Sequence, residues 1–326
     1  MPELENADSV EAHGAFNPAV IRKDGVFYMF YRTQDVNSVS RISLATSTDG
    51  VNFTKWGGAV ISPTEDYELP GGCEDPRIMQ VKNMYYLTYT GYNDHYAHHT
   101  HTCLATSTDL IHWTKLGPIL PEKSTAILNQ PIKGMYWAYY GDTNIWIAQS
   151  PDMIHWKTVS DIPVLTPRSG EWDDSLVESG PPPILTQYGI LLIHNGNLSE
   201  DRAKQKGARM HRDQVREYAT GWALFDKDDP THLIARDTEP FLTVTDPFDV
   251  YGQVGDVVFT EGLAMADDGS AYLYYGGADT VVNLAIAEPT WGASRGTQVK
   301  PEFRALKNKR GYRGCFSGTG SLPRAP

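Results

Sequence analysis

Hydrophobic and polar residues alternate along this chain in short aromatic-rich runs that recur five times: Gly25–Thr33, Asn83–Gly91, Gly134–Asp142, Gly189–Gly196 and Gly269–Asp279. Each run keeps apolar residues on both faces of a period-2 pattern, as in a strand covered on both sides. A second phrase follows the first three: Leu44–Phe53, Leu104–Trp113 and Ile147–Trp156. It carries a Ser-Thr-Asp or Ser-Pro-Asp turn, where Asp bonds its own backbone, and then an aromatic residue that opens the next strand. Weaker echoes, Gly221–Asp226 and Asn283–Glu288, follow the last two runs. Units repeating at roughly 50–80 residues predict an all-β fold, a five-bladed β-propeller, spanning 1–299 as a single domain. The segment 300–326 turns basic and rich in Gly and Pro, a loosely ordered tail. Helical periodicity is nearly absent; Glu200–Glu217 is the one candidate helix, an insertion in the fourth unit.

Composition narrows the partners. The 326 residues carry a net charge of −12, which disfavours nucleic acid and anionic membrane surfaces. Cys73, Cys103 and Cys315 have unrelated spacings and suggest neither a disulfide framework nor a zinc site. No apolar run reaches the length of a membrane span, and the N-terminus lacks the charged and apolar regions of an export signal. A cytoplasmic protein is expected. Eighteen Tyr and eight Trp suit pleated sheets and equally suit sugar stacking.

A propeller brings one end of every blade to a common axis, so polar residues near each first strand can meet there. These are Asn17, Arg32, Glu74, Asp75, Arg77, Asp142, Glu178, Asn195, Glu261 and Asp279. Six of the ten are carboxylates and two are basic, which predicts an acidic central funnel. Acids around one axis can bind a divalent cation or carry out glycosyl transfer, one protonating a leaving oxygen while another activates water. The sharpest local motif is Gly71-Gly-Cys-Glu-Asp-Pro-Arg77. Proline pushes the residue before it toward extended dihedrals, Arg77 is expected to grip the Asp75 carboxylate bidentately, and Glu74 to raise the pKa of one of the two acids. A capped turn with a surface ion pair is the structural alternative.

With Asn17-Pro-Ala, Glu74-Asp-Pro-Arg, Gly180-Pro-Pro-Pro-Ile, Gly221-Trp-Ala-Leu-Phe-Asp and Tyr274-Tyr-Gly-Gly-Ala-Asp-Thr in this order, the chain resembles glycoside hydrolase family 130. That family consists of five-bladed propellers acting on β-mannosides, some as phosphorylases and some as hydrolases. The resemblance runs from about Gly14 to Glu288 and implies Asp75 as general acid, direct or through a sugar hydroxyl. It implies Asn17, Arg32, Tyr218 and Asp279 as holders of the −1 mannose. Phosphorylases of the family share cations that hold phosphate; at those places this chain reads Tyr140-Gly-Asp142, Leu176 and His194-Asn-Gly196. It also carries Glu261 where they tend to have a Cys. A carboxylate there repels a dianion and can polarise water. The resemblance therefore points first to an inverting β-mannosidase acting on β-1,2-linked mannosides, with Glu261 and Glu217 activating water and Glu178 competing with Glu217. Inverting phosphorolysis to mannose 1-phosphate is the alternative, and no cofactor is called for.

Other readings stay open. His95, His98, His99 and His101 form a His-rich stretch that could bind zinc or wall a sugar cleft; the cleft is preferred and no metal is expected. The basic insertion 202–216, with Arg209 and His211, could restore phosphate binding or simply be a solvated helix. A non-catalytic sugar-binding propeller is the remaining class.

Overall fold

The computed structural model describes residues 10–93, 100–205, 210–211, 214–215 and 217–287. The chain is mostly β-sheet with almost no helix, laid down in consecutive antiparallel groups. The first holds β1 (Gly14–Lys23), β2 (Val26–Gln34), β3 (Ser40–Ser47) and β4 (Thr54–Ile61). The second holds β5 (Gly72–Val81), β6 (Met84–Tyr92), β7 (Thr100–Ser107) and β8 (Thr114–Pro121), joined to the first by one parallel pairing, Ser40 with Gly72. The third is β9 (Ala126–Ile127), β10 (Tyr136–Tyr140), β11 (Trp146–Ser150) and β12 (Lys157–Thr158). The fourth comprises β13 (Leu176–Ser179), β14 (Ile184–Thr186) and β15 (Gly189–Asn197). After α1 (Glu200–Gln205) and the small ribbon β16 (Met210–His211) with β17 (Gln214–Val215), it ends with β18 (Tyr218–Phe225) and β19 (Leu233–Arg236). A short helix α2 (Pro247–Val250) leads to β20 (Val258–Met265), β21 (Ala271–Gly277) and β22 (Val281–Ala287).

Each recurring aromatic run is a central strand, apolar on both faces because each face meets a neighbouring group. The core is divided accordingly. Phe30, Ile42 and Leu44 pack against Ile78, Leu87 and Leu110; Met79 and Val81 against Ile127, Ala138 and Tyr140. Tyr139 and Ile147 then meet Val177, Leu192 and Phe225, and Ile193 meets Val258, Leu273 and Tyr275. A last layer joins Tyr274 and Val282 of the final group to Met29, Tyr31 and Phe53 of the first. Tyr274 seals that layer by donating its hydroxyl to the Gly50 carbonyl at 2.7 Å.

The repeated Asp turns form as the sequence predicts. Asp49, Asp109 and Asp152 each accept backbone N–H groups two and three residues on, at 2.8–2.9 Å. Of the expected helix Glu200–Glu217, α1 covers Glu200–Gln205, and further on β16 pairs with β17. His95, His98, His99, Arg209 and the tail from Lys300 lie outside the described residues, as does the side chain of His211.

Candidate active site

Three opening strands are broken at matching places by β-bulges. The register of β1 shifts between Phe16 and Pro18, that of β5 between Glu74 and Arg77, and that of β20 between Thr260 and Gly262. An extra residue in one strand kinks it and re-aims a side chain. The residues so displaced include Asn17, Asp75 and Glu261. Asn17 and Asp75 have φ of 48° and 50°, the left-handed region. This corrects the expectation that proline would hold Asp75 extended: the bulge outweighs the pre-proline preference. Asp279 shares that backbone conformation, with φ of 48° in the turn after β21.

The bulges bring distant groups together. Asn17 Nδ2 donates to Asp75 Oδ1 at 2.8 Å. Arg32, from β2, donates to the same oxygen at 3.1 Å and to Glu74 Oε1 at 2.5 Å, while its Nε reaches Ser40 Oγ at 3.0 Å. Ser40 in turn donates to Glu74 at 3.0 Å. Asn17 lies close against Gly276, where an added Cβ would fall 2.1 Å from its Oδ1.

Arg77 does something other than gripping the Asp75 carboxylate. It is fully buried and donates to three carbonyls: Asp75 at 3.0 Å, Ser179 at 2.8 Å and Gly180 at 3.0 Å. Its NH2 also lies 3.1 Å from Glu261 Oε1. The guanidinium thus ties the second group to the fourth and faces the fifth. Neither Glu261 oxygen accepts a hydrogen bond from the described residues, although the side chain is fully buried.

Glu178, from β13, accepts from Ser124 Oγ at 2.8 Å and faces Lys123 Nζ at 3.4 Å. Lys123 is a site cation that the repeat pattern does not reveal. It sits in the link between β8 and β9, beside two residues with positive φ, Glu122 (63°) and Ser124 (57°). Its charge bears on Asp75 and Asp279, and Tyr218 and Asp142 bear on it. The funnel therefore holds three cations, Arg32, Arg77 and Lys123, among its acids, more than the sequence suggested.

Proton affinities diverge across the cluster. Burial pushes Asp75 up, yet Arg32, Lys123 and the Asn17 amide outweigh it and hold Asp75 below the ordinary carboxylate range. Glu74 goes the other way: burial, with the Asp75 charge beside it, raises it against the pull of Arg32. Of the neighbouring pair it is Glu74, not Asp75, that moves up. Burial lifts Glu261 well above the usual range against Arg77, and lifts Glu178 against Lys123 and Ser124. Asp279 is pushed up to about 6, by burial first, with Arg32 opposing.

One expected site residue is committed elsewhere, and for Glu217 only a backbone contact is seen among the described residues. Asn195 is fully buried and its amide is spent on the next group: Nδ2 donates to the Thr260 carbonyl at 3.1 Å and Oδ1 accepts from the Thr260 N–H at 2.8 Å. It holds the start of the Glu261 bulge rather than facing a sugar. Glu217 lies at the mouth of β18, its carbonyl accepting from Leu198 at 3.1 Å. The acids whose charges bear most on Glu261 are Asp75 and then Glu178. Among the described residues no group of His, Cys, Asp and Glu is arranged to hold a metal ion.

The family model described as β-1,4-mannooligosaccharide phosphorylase matches residues 3–289. The chain belongs to glycoside hydrolase family 130. A 1,2-β-oligomannan phosphorylase from Thermoanaerobacter sp. (strain X514) is 36% identical, over 88% of this chain and 94% of the relative. A β-1,2-mannobiose phosphorylase from the same source is 33% identical, over 85% and 91%. One solved structure superposes with a TM-score of 0.80 at 34% identity, over 88% of each chain. It is described under a GH130 family of mannoside phosphorylases containing glycoside hydrolases that target β-1,2 mannosidic linkages in Candida mannan. In this family 130 chain the motif Glu74-Asp-Pro-Arg77 is the bulge of β5, and Asn17-Pro-Ala is the bulge of β1.

Proposed function

We propose that this protein is an enzyme of carbohydrate metabolism acting on β-1,2-linked mannosides, built as one five-bladed propeller whose central cluster breaks the bond by a single displacement. The five cyclic core layers support the propeller reading. The observation that carries the chemistry is the convergence of Asn17 and Arg32 on Asp75, within electrostatic reach of Asp279, Glu178 and Glu261. Asp75 supplies the proton to the leaving oxygen, directly or through a sugar hydroxyl. In the empty site it rests as a carboxylate; a bound sugar that excludes water raises its proton affinity, as desolvation does for any acid. Asn17, Arg32, Tyr218 and Asp279 hold the transferred mannose.

For the attacking group, phosphorolysis to mannose 1-phosphate has the stronger support. The relatives reported above by name are phosphorylases, and Lys123 adds a cation to the wall. Burial also favours neutral Glu261 and Glu178, which weakens their repulsion of an anion. The hydrolytic reading, first by sequence, keeps one specific support: Arg32, Arg77 and Lys123 each already face a carboxylate, and neither Glu261 oxygen spends a hydrogen bond on the described residues. Mannobioses of defined linkage, with and without inorganic phosphate, separate the two. Phosphate-dependent mannose 1-phosphate is expected; free mannose at equal rates without phosphate would establish hydrolysis.

A further inference from the structure

Behind the site, on β15 and β18, lies a sealed polar nook that the proposed chemistry does not use. His194 is fully buried and stacks on Trp172, ring centroids 5.3 Å apart at 16°. Its Nδ1 faces the Asn195 carbonyl at 3.4 Å; a carbonyl only accepts, so Nδ1 carries the hydrogen and Nε2 is bare. That Nε2 has no hydrogen-bond partner and lies 3.9 Å from Asp237 Oδ1, which has none either. The other Asp237 oxygen is fixed by the Trp222 N–H at 2.8 Å. Gly196 and Gly221 wall the nook: a Cβ on Gly221 would lie 2.2 Å from Asp237 Oδ2 and 2.4 Å from the Trp172 ring.

Two bare acceptors aimed at each other in a sealed space repel, and each costs its desolvation. The charged groups facing them are committed elsewhere. Arg168 makes two bonds to Asp173, at 3.0 and 2.9 Å, and a third to the Asp237 carbonyl at 2.5 Å; its NH2 stays 3.9 Å from Asp237 Oδ1. Arg236 also bonds Asp173. A proton on Asp237 removes the conflict by turning one acceptor into a donor.

The geometry points to a protonated Asp237: a proton on Oδ1, turned toward His194 Nε2 across 3.9 Å, replaces the repulsion between two acceptors with attraction, and the pair positions Glu261 through Asn195. The route is short. Asn195 follows His194 in β15, and its amide grips both backbone groups of Thr260, the residue before Glu261. Burial agrees, pushing Asp237 up to about 7 and His194 well below its ordinary value. The positioning half of this inference rests on the role proposed above for the Glu261 wall.

The test is nitrogen NMR of the His194 ring in the full-length wild type and in Asp237→Asn, whose amide can turn an N–H toward Nε2 at every pH. A neutral ring with hydrogen on Nδ1 is expected throughout pH 5–8, its Nε2 resonance moving near pH 7 in the wild type and staying fixed in the variant. An imidazolium at pH 5–6, or an Nε2 signal indifferent to both pH and substitution, would overturn the pair. Because the native pKa lies above the ordinary 3.8, wild-type stability falls as pH rises from about 4 to about 7. The melting temperature of Asp237→Asn should therefore gain on the wild type by several degrees over that window. For the positioning half, wild-type kcat should fall several-fold more than that of the variant between pH 6 and 8, with KM moving less; identical profiles would sink it. A wild type inactive on every mannoside would instead overturn the reading of the site, while the NMR titration would still decide the pair.

Discussion

In the proposed chemistry Asp75 is the acid, and its environment sets its resting state. Three positive or donor groups, Arg32, Lys123 and Asn17, stabilise its charge against burial. Asp75→Asn keeps the size and the Asn17 contact but removes the proton. Turnover should drop by roughly 10²–10⁴-fold, the usual range for losing a general acid. Mannoside affinity by calorimetry should stay within a few-fold; a variant with full activity would exclude Asp75 as the acid. Asp279 offers a pH signature. Its native pKa near 6 exceeds the ordinary 3.8, so its contribution to stability is complete below about pH 4 and lost as pH rises through 6. Thermal melts of Asp279→Asn against wild type, taken from pH 4 to 7, should show the wild type losing ground across that interval.

Strand bulges, rather than loops, build the floor of the site. Their fixity is testable at Gly276, where any side chain meets Asn17 at 2.1 Å. Gly276→Ala should leave the circular dichroism spectrum unchanged and cut kcat/KM at least about tenfold, the cost of displacing one positioning group by an ångström or less. Arg77 joins three elements by three carbonyl contacts and an ion contact. Replacing it with Met should destabilise the protein by about 3–5 kcal/mol in urea unfolding, since Glu261 and the carbonyls lose their partner in a buried setting. The strands were legible in the sequence because alternation and Asp turns are local signals, repeated at Asp49, Asp109 and Asp152. The bulges were not: one extra residue at Asn17 or Asp75 leaves the alternation of the strand intact on either side. Lys123 escaped notice for another reason. It belongs to a link outside the repeated phrases, and only the packing of the third group against the fourth brings it to Glu178. Asn195 sat at the right place in its repeat yet points into a neighbouring strand, a choice that sequence position alone does not encode.

Closure governs how the molecule as a whole behaves. Every core layer is shared by two groups, and the final layer returns to the first through Tyr274, Val282 and the Ala15–Thr280 backbone bond at 3.1 Å. No group can leave without exposing two apolar faces, so calorimetry should record one cooperative unfolding transition. Deleting 258–287 should abolish soluble folded protein rather than yield a smaller stable domain; a deletion product with a sharp melt would contradict the shared-core description. The net charge of −12 disfavours nucleic-acid and anionic-membrane partners, but it does not report the local balance within the site. Three cations are concentrated there, among carboxylates that burial partly neutralises.

Because the bulged backbone is cross-braced by Arg77 and Asn195, reactivity is anchored in the part of the protein least free to drift. Variation among descendants of this scaffold must then fall on the outer connections, which can lengthen, shorten or change chemistry without disturbing bond breaking. New preferences for what lies beyond the mannose should arise by remodelling those connections, leaving the braced floor as a common inheritance.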